Sequence, residues 1–150
     1  MARAEELGET RGAESLCQGA RAPTKADGME VLAYIAAAIT GLWGLAHAIP
    51  TRQVVASFGP ISKDSRLVVT QEWLVEAFAV WGVAALVIVV TALASDASIT
   101  SWVYRIVAGL LLAFAGLTAV TGARTAVIWF KICPVLFTSS ATLLLIASLV

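Results

Sequence analysis

The sequence predicts an all-α protein, an antiparallel bundle of four transmembrane helices behind a polar N-terminal tail. Three observations lead there. Hydrophobic residues make up 59% of the 150 positions and charged residues 13%, with a mean hydropathy of +0.88, whereas an average soluble domain is roughly 25% charged. Four apolar runs, each near the roughly 20 residues that a helix needs to cross a bilayer, are separated by short polar breaks. Within those runs, small and hydroxyl side chains recur at helical spacing, which lets helices approach closely in lipid.

The tail, residues 1–28, mixes both charge signs with alanine and glycine and has no apolar stretch. Such a segment buries too little to offset the entropy of ordering, so it reads as disordered. Asp27-Gly28-Met29-Glu30 has the spacing of a capping box, with Asp in place of Ser or Thr. Helix 1 is therefore expected over 29–49, opening the transmembrane domain, 29–150. From Val31 to Ile49 its only strongly polar members are Thr40 and His47, and Pro50 ends it. Thr40, Gly44 and His47 form a small, polar stripe, with Leu42, Trp43 and Leu45 placed elsewhere. His47 is the single histidine, which excludes bis-histidine haem ligation and a His-rich metal site within one subunit.

Residues 51–69 are too polar to span. Val54, Val55 and Phe58 share one face of a short piece between Pro50 and Pro60, suited to lying along the membrane surface. Ile61 to Arg66 reads as an exposed turn. Helix 2, expected over 71–95, opens with Glu72, Trp73 and Glu76. From Ala77 to Ala94 it has no charge and no proline.

After a turn at Asp96-Ala97-Ser98, helix 3 is expected over 101–121. Trp102, Tyr104 and Arg105 give it an aromatic and basic belt at its start, and Gly109, Ala113 and Gly116 form a stripe expected to pack tightly. Gly122 to Thr125 allows only a tight hairpin before helix 4, expected over 125–149. Pro134 frees the Phe130 carbonyl, so a kink is expected there, with nearby hydroxyls satisfying the freed group.

Four spans carry His47, Glu72, Glu76, Arg124 and Lys131 to one side of the bilayer. An isolated ionisable group at membrane depth costs about 2.5 to 3.5 kcal/mol on insertion scales, a cost that opposite charges offset by pairing. Glu76 with Lys131 is the expected pair; Glu72 faces Arg124 or the positive end of its own helix. Arg52, Lys63, Arg66, Arg124 and Lys131 on one side against Arg11, Arg21, Lys25 and Arg105 on the other differ by one cation, which sets no orientation.

The run His47-Ala48-Ile49-Pro50-Thr51, then Val54-Val55, Phe58-Gly59 and Gln71-Glu72-Trp73, resembles a group of small bacterial four-helix integral membrane proteins to which no activity is assigned. The resemblance implies the architecture and a bacterial cell membrane, and implies no chemistry. Composition and motifs narrow the function by exclusion. Net charge is zero and no basic face exists for nucleic acid. Cys17 and Cys133 are lone thiols, and neither a nucleophile beside a base nor a glycine-rich phosphate loop is present. No catalytic residue, metal or cofactor is expected. The leading expectation is a non-catalytic helix-packing or assembly subunit whose partners are the lipid bilayer, other membrane helices or further copies of itself. The alternative is a small proton-coupled transporter or ligand-binding bundle using Glu76, His47 and Lys131.

Overall fold

A computed structural model describes residues 25–93 and 96–149, and they are helical throughout apart from short connections. In chain order these are α1 (Lys25–Ala48), α2 (Thr51–Ser57), α3 (Lys63–Leu93), α4 (Ala97–Val120), a 3-10 turn (Gly122–Arg124) and α5 (Ile128–Ala147). Four of them, α1, α3, α4 and α5, are long and apolar enough to cross a membrane.

Several boundaries differ from the sequence-based expectation, each for a local reason. The helix α1 begins by Lys25, so Asp27 to Glu30 lie inside it instead of capping it. The rest of the expected disordered tail falls outside the described residues. The supposed exposed turn at 61–66 is instead the start of α3. Ser62 is its N-cap: its hydroxyl accepts from the Ser65 N–H at 3.0 Å, and its carbonyl accepts from Arg66 N at 3.0 Å. The 31 residues of α3, at about 1.5 Å each, exceed a hydrocarbon core of roughly 30 Å. Its polar first turns therefore continue beyond the lipid, where the short α2 packs on it through the buried Val55. Between them, Gly59 takes φ +72°, the left-handed turn that ends α2 and that a side chain would strain. Asp96 belongs to no free turn either. It caps α4 by accepting from Ser98 N at 2.8 Å, so α4 begins four residues before the expected start at Ser101.

Burial is inverted relative to a water-soluble bundle. Ala33, Ala36, Ala37, Ala77, Ala108 and Ala141 are buried, while Leu42, Ile49, Phe78, Ile106 and Leu117 face outward. In lipid an exposed leucine costs nothing, so small residues are spent where backbones meet. Within the bundle α1 packs on both α3 and α5, α5 packs on α4, and the α3–α4 pairing is the sparsest among these. Two stripes behave differently from expectation. Thr40, Gly44 and His47 do face the interior, but Trp43 shares that buried face. Gly109, Ala113 and Gly116 face outward, with open space where a Cβ at either glycine would stand. The face of α4 that packs carries Tyr104, Val107, Ala108, Leu111 and Ala115.

Hydroxyls inside the spans bond mostly to their own helix. Thr91, Thr118, Ser139 and Thr142 each donate to the carbonyl four residues back, at 2.6 to 2.9 Å, which removes an unpaired donor from lipid. Pro134 lies within α5; among the described residues no side chain donates to the Phe130 carbonyl, so the expected hydroxyl compensation is not made.

Candidate functional site

The site assembles where α1 ends. The last four carbonyls of any helix lack intrahelical partners, and α1 has Pro50 just beyond it. Trp73, from α3, fills this need: its indole N–H donates to the His47 carbonyl at 2.7 Å. The same indole lies flat on the His47 imidazole, with centroids 3.9 Å apart and planes 14° from parallel. Phe130, from α5, meets Trp73 in an edge-on arrangement, centroids 5.8 Å apart. Three helices thus fix one imidazole, and His47 is only 7% exposed.

Two turns along α3, Trp81 repeats the attachment. Its N–H donates to the Gly41 carbonyl at 3.0 Å. This needs Gly44, because a Cβ there would stand 2.7 Å from the Trp81 ring. The Thr40-Gly44-His47 stripe is therefore the groove that receives the tryptophans of α3.

The electrostatics centre on Glu76, one turn beyond Trp73. Its Oε2 lies 3.4 Å from His47 Nε2. This is the sole oppositely charged contact within 4 Å among the described residues, and it is ionic only when His47 is protonated. The geometry falls short of a hydrogen bond, leaving the buried Nε2 without a partner among the described residues. No hydrogen bond to Glu76 or Glu72 occurs among the described residues. Lys131 and Arg124 are exposed and neither makes an ion pair among the described residues, so the expected Glu76–Lys131 and Glu72–Arg124 pairings are replaced by the single His47–Glu76 contact. Glu72 is exposed as well, one turn before Glu76 on the same face of α3.

Two clefts adjoin this group and share Trp73 as a wall. An aromatic cleft of about 460 Å³ is bounded by Trp43, His47, Pro50, Val54, Trp129 and Phe130, along with Trp73. A carboxylate cleft of about 530 Å³ lies between α3 and α4, bounded by Glu72, Glu76, Phe114, Leu117 and Thr118 besides Trp73. It occupies the seam that the sparse α3–α4 contact leaves open. His47 and Glu76 offer two donors for a metal, and no third His, Cys, Asp or Glu joins them among the described residues.

The sequence reading placed His47, Glu72 and Glu76 at one end but missed the parts that organise them. In the sequence Trp73 marks only the start of its helix, Phe130 only the carbonyl freed by Pro134, and Trp81 carries no signal of its own. A usable signal was present: Trp73, Ala77 and Trp81 recur every four residues on α3, opposite the Gly41–Gly44 pair of α1, a bulky ridge facing a small groove. Comparison of the chain with protein-family models, curated proteins and solved structures finds no match.

Proposed function

We propose that this protein is a non-enzymatic, multi-pass membrane protein that binds a small, largely apolar ligand at the His47–Trp73–Glu76 junction. The observation that carries the reading is the construction of the junction. Three helices immobilise a buried imidazole beside a carboxylate, and two clefts open onto the same tryptophan. A bundle that only spans the bilayer has no need of this arrangement, since polar groups at membrane depth are costly. The likeness to small bacterial four-helix proteins favours a bacterial cell membrane as its location.

An antiparallel arrangement of the four spans belongs to the same proposal. It is supported by contacts whose numbers rise on one helix as they fall on the other, as in His47 with Trp73 and Gly41 with Trp81. Cysteines placed at Ser62 and Ala97, with Cys17 and Cys133 replaced, should label from opposite sides of the membrane. Labelling from the same side would remove the topology.

Ligand binding itself is tested by thermal unfolding in detergent against apolar probes of differing charge. A ligand that occupies the native state at about 100 times its Kd adds about 2.7 kcal/mol. A probe should raise the Tm of the parent and not of Trp73→Phe, which keeps bulk but loses the indole N–H and the wide stacking face. Equal shifts for both proteins would place binding elsewhere.

A second reading, an assembly subunit, has its own support in the outward stripe Gly109-Ala113-Gly116, which leaves a smooth face on α4. If it holds, Gly109→Ile should shift the protein to a smaller species in native electrophoresis.

A further inference from the structure

The aromatic cleft has a chemistry of its own, and this inference rests on the ligand-binding reading above. Its wall carries no lysine, arginine, aspartate or glutamate, so a charged occupant would leave water without a counter-charge. Trp43, Trp73, Trp129 and Phe130, from α1, α3 and α5, make that wall aromatic. Gln53 and Ser57 also line it, but both are exposed, and the Ser57 hydroxyl donates to the Val54 carbonyl at 2.6 Å. Trp43 offers its ring alone, because its indole N–H lies beside the Cys133 thiol, which is not part of the wall.

His47 is the buried polar group of this wall, and its two ring nitrogens have different surroundings. Nε2 is sealed and faces Glu76 Oε2 at 3.4 Å. A carboxylate at that distance favours the tautomer with the proton on Nε2, which leaves Nδ1 as an acceptor. Nδ1 makes no hydrogen bond to a described residue and, unlike Nε2, is not sealed; the cleft that His47 lines is the aromatic one. The stack on Trp73 holds the ring in this orientation. A fixed acceptor therefore meets an uncharged aromatic space of about 460 Å³. A wholly apolar occupant would leave Nδ1 unpaired, and one carrying acceptors alone would repel it. An aromatic hydroxyl supplies the missing donor and a flat apolar ring in one molecule.

We infer that the aromatic cleft binds an uncharged phenol, its ring among Trp43, Trp129 and Phe130 and its hydroxyl donating to His47 Nδ1.

The test is titration of the full-length protein in dodecyl maltoside with naphthol, its methyl ether and naphthalenesulfonate, with partition into protein-free micelles measured alongside. Naphthol should bind at least tenfold more tightly than the ether, which keeps the ring and loses the donor, and the sulfonate should not bind. Since His47 is the single histidine, its ring nitrogens give unambiguous resonances in isotopically labelled protein, and naphthol should shift the Nδ1 signal while the ether leaves it in place. His47→Phe, which keeps a ring against Trp73, should reduce naphthol to the affinity of the ether and change the ether less than twofold. If His47→Phe does not fold, Val54→Trp, which fills the cleft from α2, should abolish binding of both. Equal affinity for naphthol and the ether, or an Nδ1 signal unmoved at saturating naphthol, overturns the hydroxyl contact but leaves ligand binding standing. Parent-like naphthol binding by Val54→Trp overturns the placement in this cleft. Failure of every probe to bind overturns both this inference and the ligand-binding reading.

Discussion

The two ends of the bundle use similar residues to opposite effect. At the end where α4 begins, the buried polar side chains, Tyr104 and Ser148, both have partners. Tyr104 and Thr91 share a 2.7 Å hydrogen bond, and since the Thr91 hydroxyl donates to the Val87 carbonyl, the tyrosine is the donor to it. Ser101 donates to the Ser148 carbonyl at 2.7 Å. Arg105 reaches the same carbonyl at 3.1 Å and stands 5.4 Å from the Trp102 ring. These bonds tie α3 to α4 and α4 to the end of α5. At the end where α1 finishes, the aromatic framework is just as ordered, but His47 Nε2 and the two glutamates are not consumed by it. Satisfied polar groups fasten helices; unsatisfied ones held rigidly are available to a ligand. On the proposed reading, the contrast separates structural polarity from ligand-binding polarity within one small fold.

The largest effect that would break this comparison is expected at Trp73. Trp73→Ala removes the stack on His47, the cap on α1 and the contact with Phe130, and should lower unfolding free energy in mixed micelles by about 3 kcal/mol, the low end for a tryptophan truncation. Trp102→Ala, whose ring is 61% exposed, should cost far less. Comparable losses would mean that the aromatic framework of the His47 end is not special.

Next is the groove of α1. Gly44→Val places a Cβ 2.7 Å from the Trp81 ring and should cost about 1 to 3 kcal/mol by overpacking, while Gly109→Val, open to its surroundings, should be close to neutral. Circular dichroism melts of the two variants distinguish an inward from an outward small stripe. Smaller again is Tyr104→Phe, which deletes one satisfied hydrogen bond and should cost about 1 kcal/mol, within the range for bonds between membrane helices.

The effect of Lys131 should be smallest. Because it makes no contact with Glu76, Glu76→Gln and Lys131→Met should add to within about 0.5 kcal/mol in a double-mutant cycle. A larger coupling would restore the pairing that topology alone suggests.

That revision shows what the sequence carries and where it stops. Hydropathy located the four spans because each must hide some 20 backbone units from lipid, whatever its neighbours. It underestimates α3, which begins with the polar turn Lys63 to Arg66 before the apolar window; Ser62, a cap residue, is the sign of that earlier start. Depth was legible too, which is why His47, Glu72 and Glu76 were placed together. Azimuth was not. Glu76 and Lys131 are expected at similar depths, but α3 and α5 each pack mainly on other helices and Lys131 turns outward, so the two do not meet. The same ambiguity hid the outward direction of Gly109 and Gly116, since a small stripe serves equally for an internal or an external contact. Rotation is set by tertiary matches such as Trp81 over Gly44, which no single segment contains.

The central claim is that Glu76 does not hold the bundle together, and it is tested most directly by the unfolding free energy of Glu76→Gln beside that of Tyr104→Phe, both measured by dodecyl sulfate titration in mixed micelles without added ligand. Removing the charge of a carboxylate that accepts no hydrogen bond should leave stability within about 0.5 kcal/mol of the parent, or raise it, because the desolvation penalty goes with the charge; Tyr104→Phe should be the more damaging change. A loss above about 2 kcal/mol for Glu76→Gln would show that the carboxylate is a structural partner of His47, and the distinction between the two ends would fail.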